Sequence, residues 1–259
     1  MTQPDFSLAG KVALITGASR GIGEAIARCY AQAGATVILT ARSDESLKDA
    51  VATIIQEGGQ AMGIAAHSGD PAAVKKAIQN VESTFGGLDI LVNNAATNPH
   101  YGPILAADDG VWDKILDINV KGYARWIRES APLMDKRGGG KIINVASILG
   151  LGAGPSMGLY SVSKAAVLML TEALAVELAQ QNIQVNALAP GFIKTRFSSA
   201  LWQDPAGETQ LTQRIPQRRV GETEELTGLA LFLASPASSF TTGSTFVCDG
   251  GHTAGRFKL

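Results

Sequence analysis

The chain of 259 residues carries 22 Lys and Arg against 23 Asp and Glu, is 46% hydrophobic, and has a net charge of −1. That composition supports a sizeable core, and a balance so near neutral provides no broad positive field for nucleic acid or an anionic membrane surface. No run approaches the ~18 apolar residues of a membrane span, and the two cysteines, Cys29 and Cys248, are far apart and fit no metal-ligand spacing. They read as packing residues of a protein in a reducing compartment. Met1 to Gly10 includes Asp5 and no long apolar stretch, so no signal peptide is expected.

Short apolar runs at 11–16, 36–40, 61–66, 88–92, 141–146, 183–189 and 244–248 alternate with helical patterns near 22–33, 44–57, 71–85, 119–136, 160–181 and 222–234. Such alternation predicts an α/β protein. The expectation is a single-domain doubly wound Rossmann fold over 1–259, a seven-stranded parallel sheet with helices on both faces, and nothing marks a linker. The first run, Lys11-Val-Ala-Leu-Ile-Thr16, leads into Gly17-Ala-Ser19-Arg20-Gly21-Ile22-Gly23 and an alanine-rich helix that stops at Gly34. Strand, glycine-rich turn and helix N-terminus form the context that binds a dinucleotide pyrophosphate. The glycine spacing is one residue wider than the usual fingerprint.

After the second run the chain reads Ala41-Arg42, with no carboxylate until Asp44. An acidic residue there would bind the ribose hydroxyls of NAD, and would repel a 2′-phosphate that a guanidinium can bind. The segment therefore predicts NADP(H). Further on, Asp70-Pro71 and Gly138-Gly139-Gly140 punctuate as helix start and helix stop signals. Tyr160-Ser161-Val162-Ser163-Lys164 places a phenol and an ammonium one helical turn apart on the same face. Lowering a tyrosine from about 10 to about 7 needs roughly 4 kcal/mol, more than one lysine supplies through water. A second positive charge, such as an oxidised nicotinamide, is required. The stretch 195–219, with Trp202, Pro205 and Pro216, is the least regular and reads as a substrate lid.

Together these motifs resemble the classical short-chain dehydrogenase/reductase family over nearly the whole length. Thr16-Gly17 with Gly21 and Gly23 matches its cofactor loop, and Asn93-Asn94-Ala95-Ala96 matches its Asn-Asn-Ala-Gly segment with alanine in place of the last glycine. Asn119, Ser147, Tyr160 and Lys164 stand where the family keeps its catalytic tetrad, and Pro190-Gly191-Phe192-Ile193-Lys194-Thr195 matches the nicotinamide-side segment. The resemblance implies that Tyr160 is the general acid or base, that Lys164 lowers its pKa and holds the nicotinamide ribose, and that Ser147 orients the carbonyl. Asn119 would hold a water linking Lys164 to solvent.

By the same resemblance Gly17, Ser19, Arg20, Gly21, Ile22 and Gly23 would cradle the cofactor phosphates, with Arg20 beside Arg42 at the 2′-phosphate. Asn94 and Ala95 would pass near the adenosine ribose, and Pro190, Gly191, Ile193 and Thr195 would meet the nicotinamide. Many relatives carry an aspartate against adenine where this chain has His67. His100 and His252 show no metal-binding pattern. Within the family, Asn94 to Pro99, Val111 to Lys114 and Gly191 to Trp202 look like the peroxisomal-type NADP-dependent carbonyl and retinal reductases. The implied substrates are small ketones, α-dicarbonyls or aldehydes, with Leu151, Met157, Leu159, Phe197 and Trp202 as an apolar wall.

Two other functions stay open. A 3-oxoacyl-thioester reductase shares the scaffold, although Val176 stands where carrier-protein reductases often place an arginine; a non-catalytic NADP-sensing protein would predict a damaged tetrad. Apolar faces on 119–136 and 160–181 suggest a homotetramer, or a dimer as second choice. The ending Arg256-Phe257-Lys258-Leu259 only loosely echoes a peroxisomal address, and a cytoplasmic protein is expected.

Overall fold

The computed structural model describes residues 3–199, 202 and 205–256. Seven parallel strands form one sheet: β1 (Val12–Thr16), β2 (Thr36–Ala41), β3 (Gln60–Ala65), β4 (Ile90–Asn93), β5 (Gly140–Val145), β6 (Ile183–Pro190) and β7 (Thr245–Cys248). Their order is β3-β2-β1-β4-β5-β6-β7, so the winding reverses between β1 and β4. Ala13, Leu14 and Ile15 pair with both Val37 to Leu39 on β2 and Ile90 to Val92 on β4.

Both faces of the sheet are covered, which is why the strands read as apolar runs rather than as alternating patterns. Alternate residues point to opposite sides. Ala13, Ile15, Val37, Leu39, Ile90 and Val92 enter one core with Ile26 and Tyr30 of α1 (Gly21–Gln32), Ile54 of α2 (Lys48–Gln56), and Leu233 of α8 (Thr227–Ala234). Val12, Leu14, Ile38 and Leu91 enter the other with Val74 and Ile78 of α3 (Pro71–Phe85), Trp126 of α5 (Gly122–Lys136) and Ala175 of α6 (Gly158–Leu178). Asp70 caps α3, its carboxylate accepting from Ala72 N at 2.9 Å and Ala73 N at 3.1 Å, and Gly86 ends it in the left-handed region at φ 70°.

Three expectations need correction. The helix expected from 119 begins ten residues earlier: α4 (Asp109–Leu116) runs through a π-turn (Asp117–Lys121) into α5, started by Asp108 accepting from Val111 N at 2.9 Å. The stretch 195–219 is not irregular throughout, because α7 (Pro205–Gln213) occupies its middle. Proline suits the first turn of a helix, but the polar residues after it leave no apolar period to read. Residues 200, 201, 203 and 204 of that expected lid, and residues 257–259 of the terminal tetrapeptide, lie outside the described residues. Finally, the π-turn and α5 turn Lys121, Arg128 and Asp135 outward, so of the two helices expected to expose an apolar face only α6 does, through Val162, Met169 and Val176. No helix among the described residues is long and apolar enough to cross a membrane.

Candidate active site

A cleft of about 710 Å³ opens at the C-terminal ends of the strands, where the winding reverses. Its floor is the loop between β1 and α1, held by residues after β4. Thr16 Oγ1 accepts from Asn94 N at 2.9 Å and Ala95 N at 3.0 Å, while Asn94 Nδ2 donates to the carbonyls of Thr16 and Gly17 at 3.0 Å each. Gly17 sits at φ +64°, and a Cβ there would lie 2.8 Å from Ala95 Cα. Gly17, Ser19, Arg20, Gly21 and Ile22 line the cleft; Gly23 does not, and its part is to let α1 pass close beneath Asn94.

One end of the cleft presents Arg42, Ser43 and Ser46 together with exposed Arg20. Asp44, the nearest carboxylate in sequence, is turned away, its Oδ1 accepting from Ala65 N at 3.0 Å. Among the described residues lining the cleft there is no aspartate or glutamate, whereas Arg20, Arg42, Lys114, Lys164 and Arg196 all contribute. A cofactor with a pyrophosphate and a 2′-phosphate fits such a lining, because anions meet cations and unpaired backbone N–H groups and no repelling charge. His67 lines the cleft beside Ser68, with Nδ1 accepting from Gly69 N at 3.2 Å, so the neutral ring carries its proton on Nε2. Ser68 is in turn held by Trp126 Nε1 on its Oγ at 3.1 Å and by Arg125 on its carbonyl at 3.2 Å. Asn94, Ala95, Pro190, Gly191, Ile193 and Thr195 also reach the cleft wall.

Ser147, Tyr160 and Lys164 come together on that wall. Ser147 follows β5 in extended backbone, and its Oγ accepts from Leu149 N at 3.1 Å, which caps a short 3-10 turn and leaves its own O–H free to donate. Tyr160 and Lys164 lie near the start of α6. The ammonium does not touch the phenol oxygen. It bonds Val145 O at 2.7 Å and Tyr123 Oη at 3.4 Å, and lies 5.7 Å from the centre of the Tyr160 ring. Burial pushes the Tyr160 hydroxyl well above its ordinary value and brings Lys164 down to about 7. Burial is the cause of both shifts, so the tyrosine is raised rather than lowered, contrary to what a lysine one turn away suggests.

Asn119 lies in the π-turn and is fully buried off the cleft. Its Oδ1 accepts from Thr97 N at 2.8 Å, and its Nδ2 donates to Thr97 O at 2.9 Å and Ser163 Oγ at 3.1 Å. Both amide donors are thus committed to protein partners. Tyr123, one turn further on, is the residue that motif reading missed: a single tyrosine in a helix looks like ordinary core, and only its contact with Lys164 distinguishes it. On the substrate side Met157 and Phe197 line the cleft as expected, with the Phe197 ring 6.0 Å from that of Tyr160. Leu159 and Leu151 do not. Leu159 is buried on the inner face of α6, and Leu151 points to solvent past the 3-10 turn. Trp202 is also absent from the wall, its Nε1 donating to Ser198 Oγ at 3.0 Å.

A family profile described as enoyl-(acyl carrier protein) reductase matches residues 17–253. The chain is 46% identical over 244 residues to dehydrogenase/reductase SDR family member 4 of Oryctolagus cuniculus, covering 94% of each. It is 45% identical over 251 residues to the Homo sapiens protein of that name, covering 97% of this chain and 90% of the other. Among solved structures, a gluconate 5-dehydrogenase from Burkholderia cenocepacia in complex with NADP and tartrate superimposes with a TM-score of 0.93 at 38% identity, over 97% of this chain and 98% of that one. A short-chain type dehydrogenase/reductase from Mycobacterium marinum gives 0.88 at 41% identity, over 96% and 97%.

Proposed function

The chain belongs to the short-chain dehydrogenase/reductase family and is an oxidoreductase, and on that premise we propose an NADP(H)-dependent carbonyl reductase that interconverts a ketone or aldehyde and its alcohol. The observation that carries this reading is the meeting of Ser147, Tyr160 and Lys164 on the wall of a cleft that presents Arg20 and Arg42 and, among the described residues, no carboxylate. Gly17 to Ile22 would hold the pyrophosphate, Arg20 and Arg42 the 2′-phosphate, and His67 the adenine edge. Asn94, Ala95, Pro190, Gly191, Ile193 and Thr195 would enclose the ribose and nicotinamide.

Bound NADP(H) supplies the hydride and, when oxidised, a positive charge in the cleft. Tyr160 keeps its proton on the hydroxyl and gives it to the substrate oxygen as negative charge develops there; in the other direction its phenolate takes the alcohol proton. Ser147 donates its free O–H to the same oxygen and fixes the carbonyl face. Lys164 holds the ribose and supports the phenolate. Asn119 anchors Thr97 and Ser163, and so the two walls between which the substrate sits. Met157 and Phe197 give the substrate end an apolar surface, which favours alkyl and aromatic carbonyl compounds.

NADPH and NADH oxidation against ketones, α-diketones, aldehydes and a 3-oxoacyl thioester tests this reading. NADPH-dependent turnover of free carbonyl compounds is expected. NADH turnover equal to or better than NADPH would sink the cofactor assignment. A thioester as best substrate would make the chain a thioester reductase, and NADPH binding without turnover on the whole panel would make it a sensor.

We place the enzyme in the cytoplasm, where Cys29 and Cys248 stay reduced, and read it as a homotetramer. Val162, Met169 and Val176 recur at seven-residue spacing along α6 and are 43%, 62% and 80% exposed, an apolar stripe that symmetric association would cover. Light scattering should return a multiple of the 26.9 kDa chain mass. A monomer would refute it.

A further inference from the structure

Lys164 is a buried cation with no carboxylate partner among the described residues, and two fixed groups hold it. Val145 O lies 2.7 Å from Nζ, and Tyr123 Oη 3.4 Å. That hydroxyl donates its own proton to Val145 O at 3.0 Å, which leaves its lone pairs to accept from the ammonium. The Tyr123 ring lies 5.2 Å from Nζ and the Tyr160 ring 5.7 Å, so the charge lies against two aromatic rings. An ammonium has three N–H donors. With two directed at Val145 and Tyr123, one remains for the cleft.

The placement follows from the π-turn and the helix after it. Asn119 and Tyr123 stand four residues apart, and they reach two adjacent residues of α6: Asn119 Nδ2 to Ser163 Oγ, Tyr123 Oη to Lys164 Nζ. We propose that Tyr123 is the positioning residue of the catalytic lysine, its hydroxyl accepting from Nζ and aiming the remaining N–H at the nicotinamide ribose. The proposal rests on the reading of Tyr160 and Lys164 given above. Burial holds the Tyr123 hydroxyl well above its ordinary value, so it stays protonated and acts as a neutral dipole.

Tyr123→Phe removes one oxygen and keeps the ring and nearly all the volume. In this variant kcat/KM for NADPH-dependent reduction should fall about tenfold, mostly through KM for NADPH, as for loss of one hydrogen bond to a charged group. In alcohol oxidation the ascending limb of the pH profile should move up by about one unit. The sign follows because an ammonium that has lost an acceptor is less stable as the cation and supports the Tyr160 phenolate less. A residue that only fills space would leave that limb where it is in wild type. The midpoint does not depend on the concentration of active enzyme, so partial misfolding of the variant does not hide the result. Tyr160→Phe is assayed alongside. If it is inactive and the limb of Tyr123→Phe is unmoved, the positioning role is overturned while the dyad stands. If Tyr160→Phe turns over, the dyad and the inference fail together.

Discussion

Tyr160→Phe should reduce kcat for carbonyl reduction by about 10²–10⁴-fold, the range associated with a positioned acid, with the affinity for NADPH changed by less than about twofold. The phenolic oxygen makes no hydrogen bond to Lys164, whose ammonium faces the ring instead. Phenylalanine keeps that ring, its packing on Phe197 at 6.0 Å and the shape of the wall. The missing oxygen is therefore read in chemistry, not in assembly of the site. Pre-steady-state hydride transfer and a fluorescence titration with NADPH separate the two. Retained transfer would remove Tyr160 from the mechanism, and lost binding would mean that its oxygen holds the cofactor loop in a way the contacts here do not include.

Gly23→Ala should weaken NADPH binding by about 100-fold or more and lower stability by roughly 1–3 kcal/mol, the usual cost of overpacking a tight contact. A Cβ at this position would lie 2.6 Å from Asn94 Nδ2 and 2.7 Å from Gly17 O. Neither neighbour can retreat cheaply. Asn94 Nδ2 is the donor that ties the carbonyls of Thr16 and Gly17, and Gly17 is itself pressed against Ala95. Relief requires α1 to back away from β4, which spoils the N–H array meant for the pyrophosphate. Isothermal titration with NADPH and a denaturant midpoint would check both parts. Unchanged affinity would show that the loop tolerates the shift and that the close approach is not needed for binding.

The strand runs and most helices were legible because a parallel sheet covered on both faces leaves long apolar segments, and because Asp70 and Pro71 act locally at a helix start. The start of α4 and the whole of α7 were not. The residues of α7 are mostly polar and leave no apolar period to read, whereas α4 carries Val111, Trp112, Ile115 and Leu116 just ahead of the expected start, behind the capping carboxylate of Asp108. In the site, the glycine loop and the Tyr160–Lys164 pair were readable because spacing alone dictates their geometry. The assignment of Leu151 and Leu159 to the substrate wall failed for the converse reason: a small rotation about a helix or turn decides whether a leucine meets the core, the cleft or water. The direction of the Tyr160 shift depended on burial, which no motif records, and Tyr123 owes its importance to a contact made across two helices.

The π-turn at Asp117–Lys121 carries one residue more per turn than the α-helices it joins. It takes up that residue without turning the two helices out of phase. An α-helix advances about 100° per residue, so one residue added to a regular helix would rotate α4 by that angle relative to α5, whereas the widened turn absorbs it locally. Lys114 and Ile118 thus reach the cleft while Tyr123 and Trp126 are buried, all from one continuous helical run. Point substitutions in this segment and a one-residue deletion are different kinds of change: the first alters a side chain, and the second closes the turn and removes the bulge from which Asn119 reaches Thr97 and Ser163.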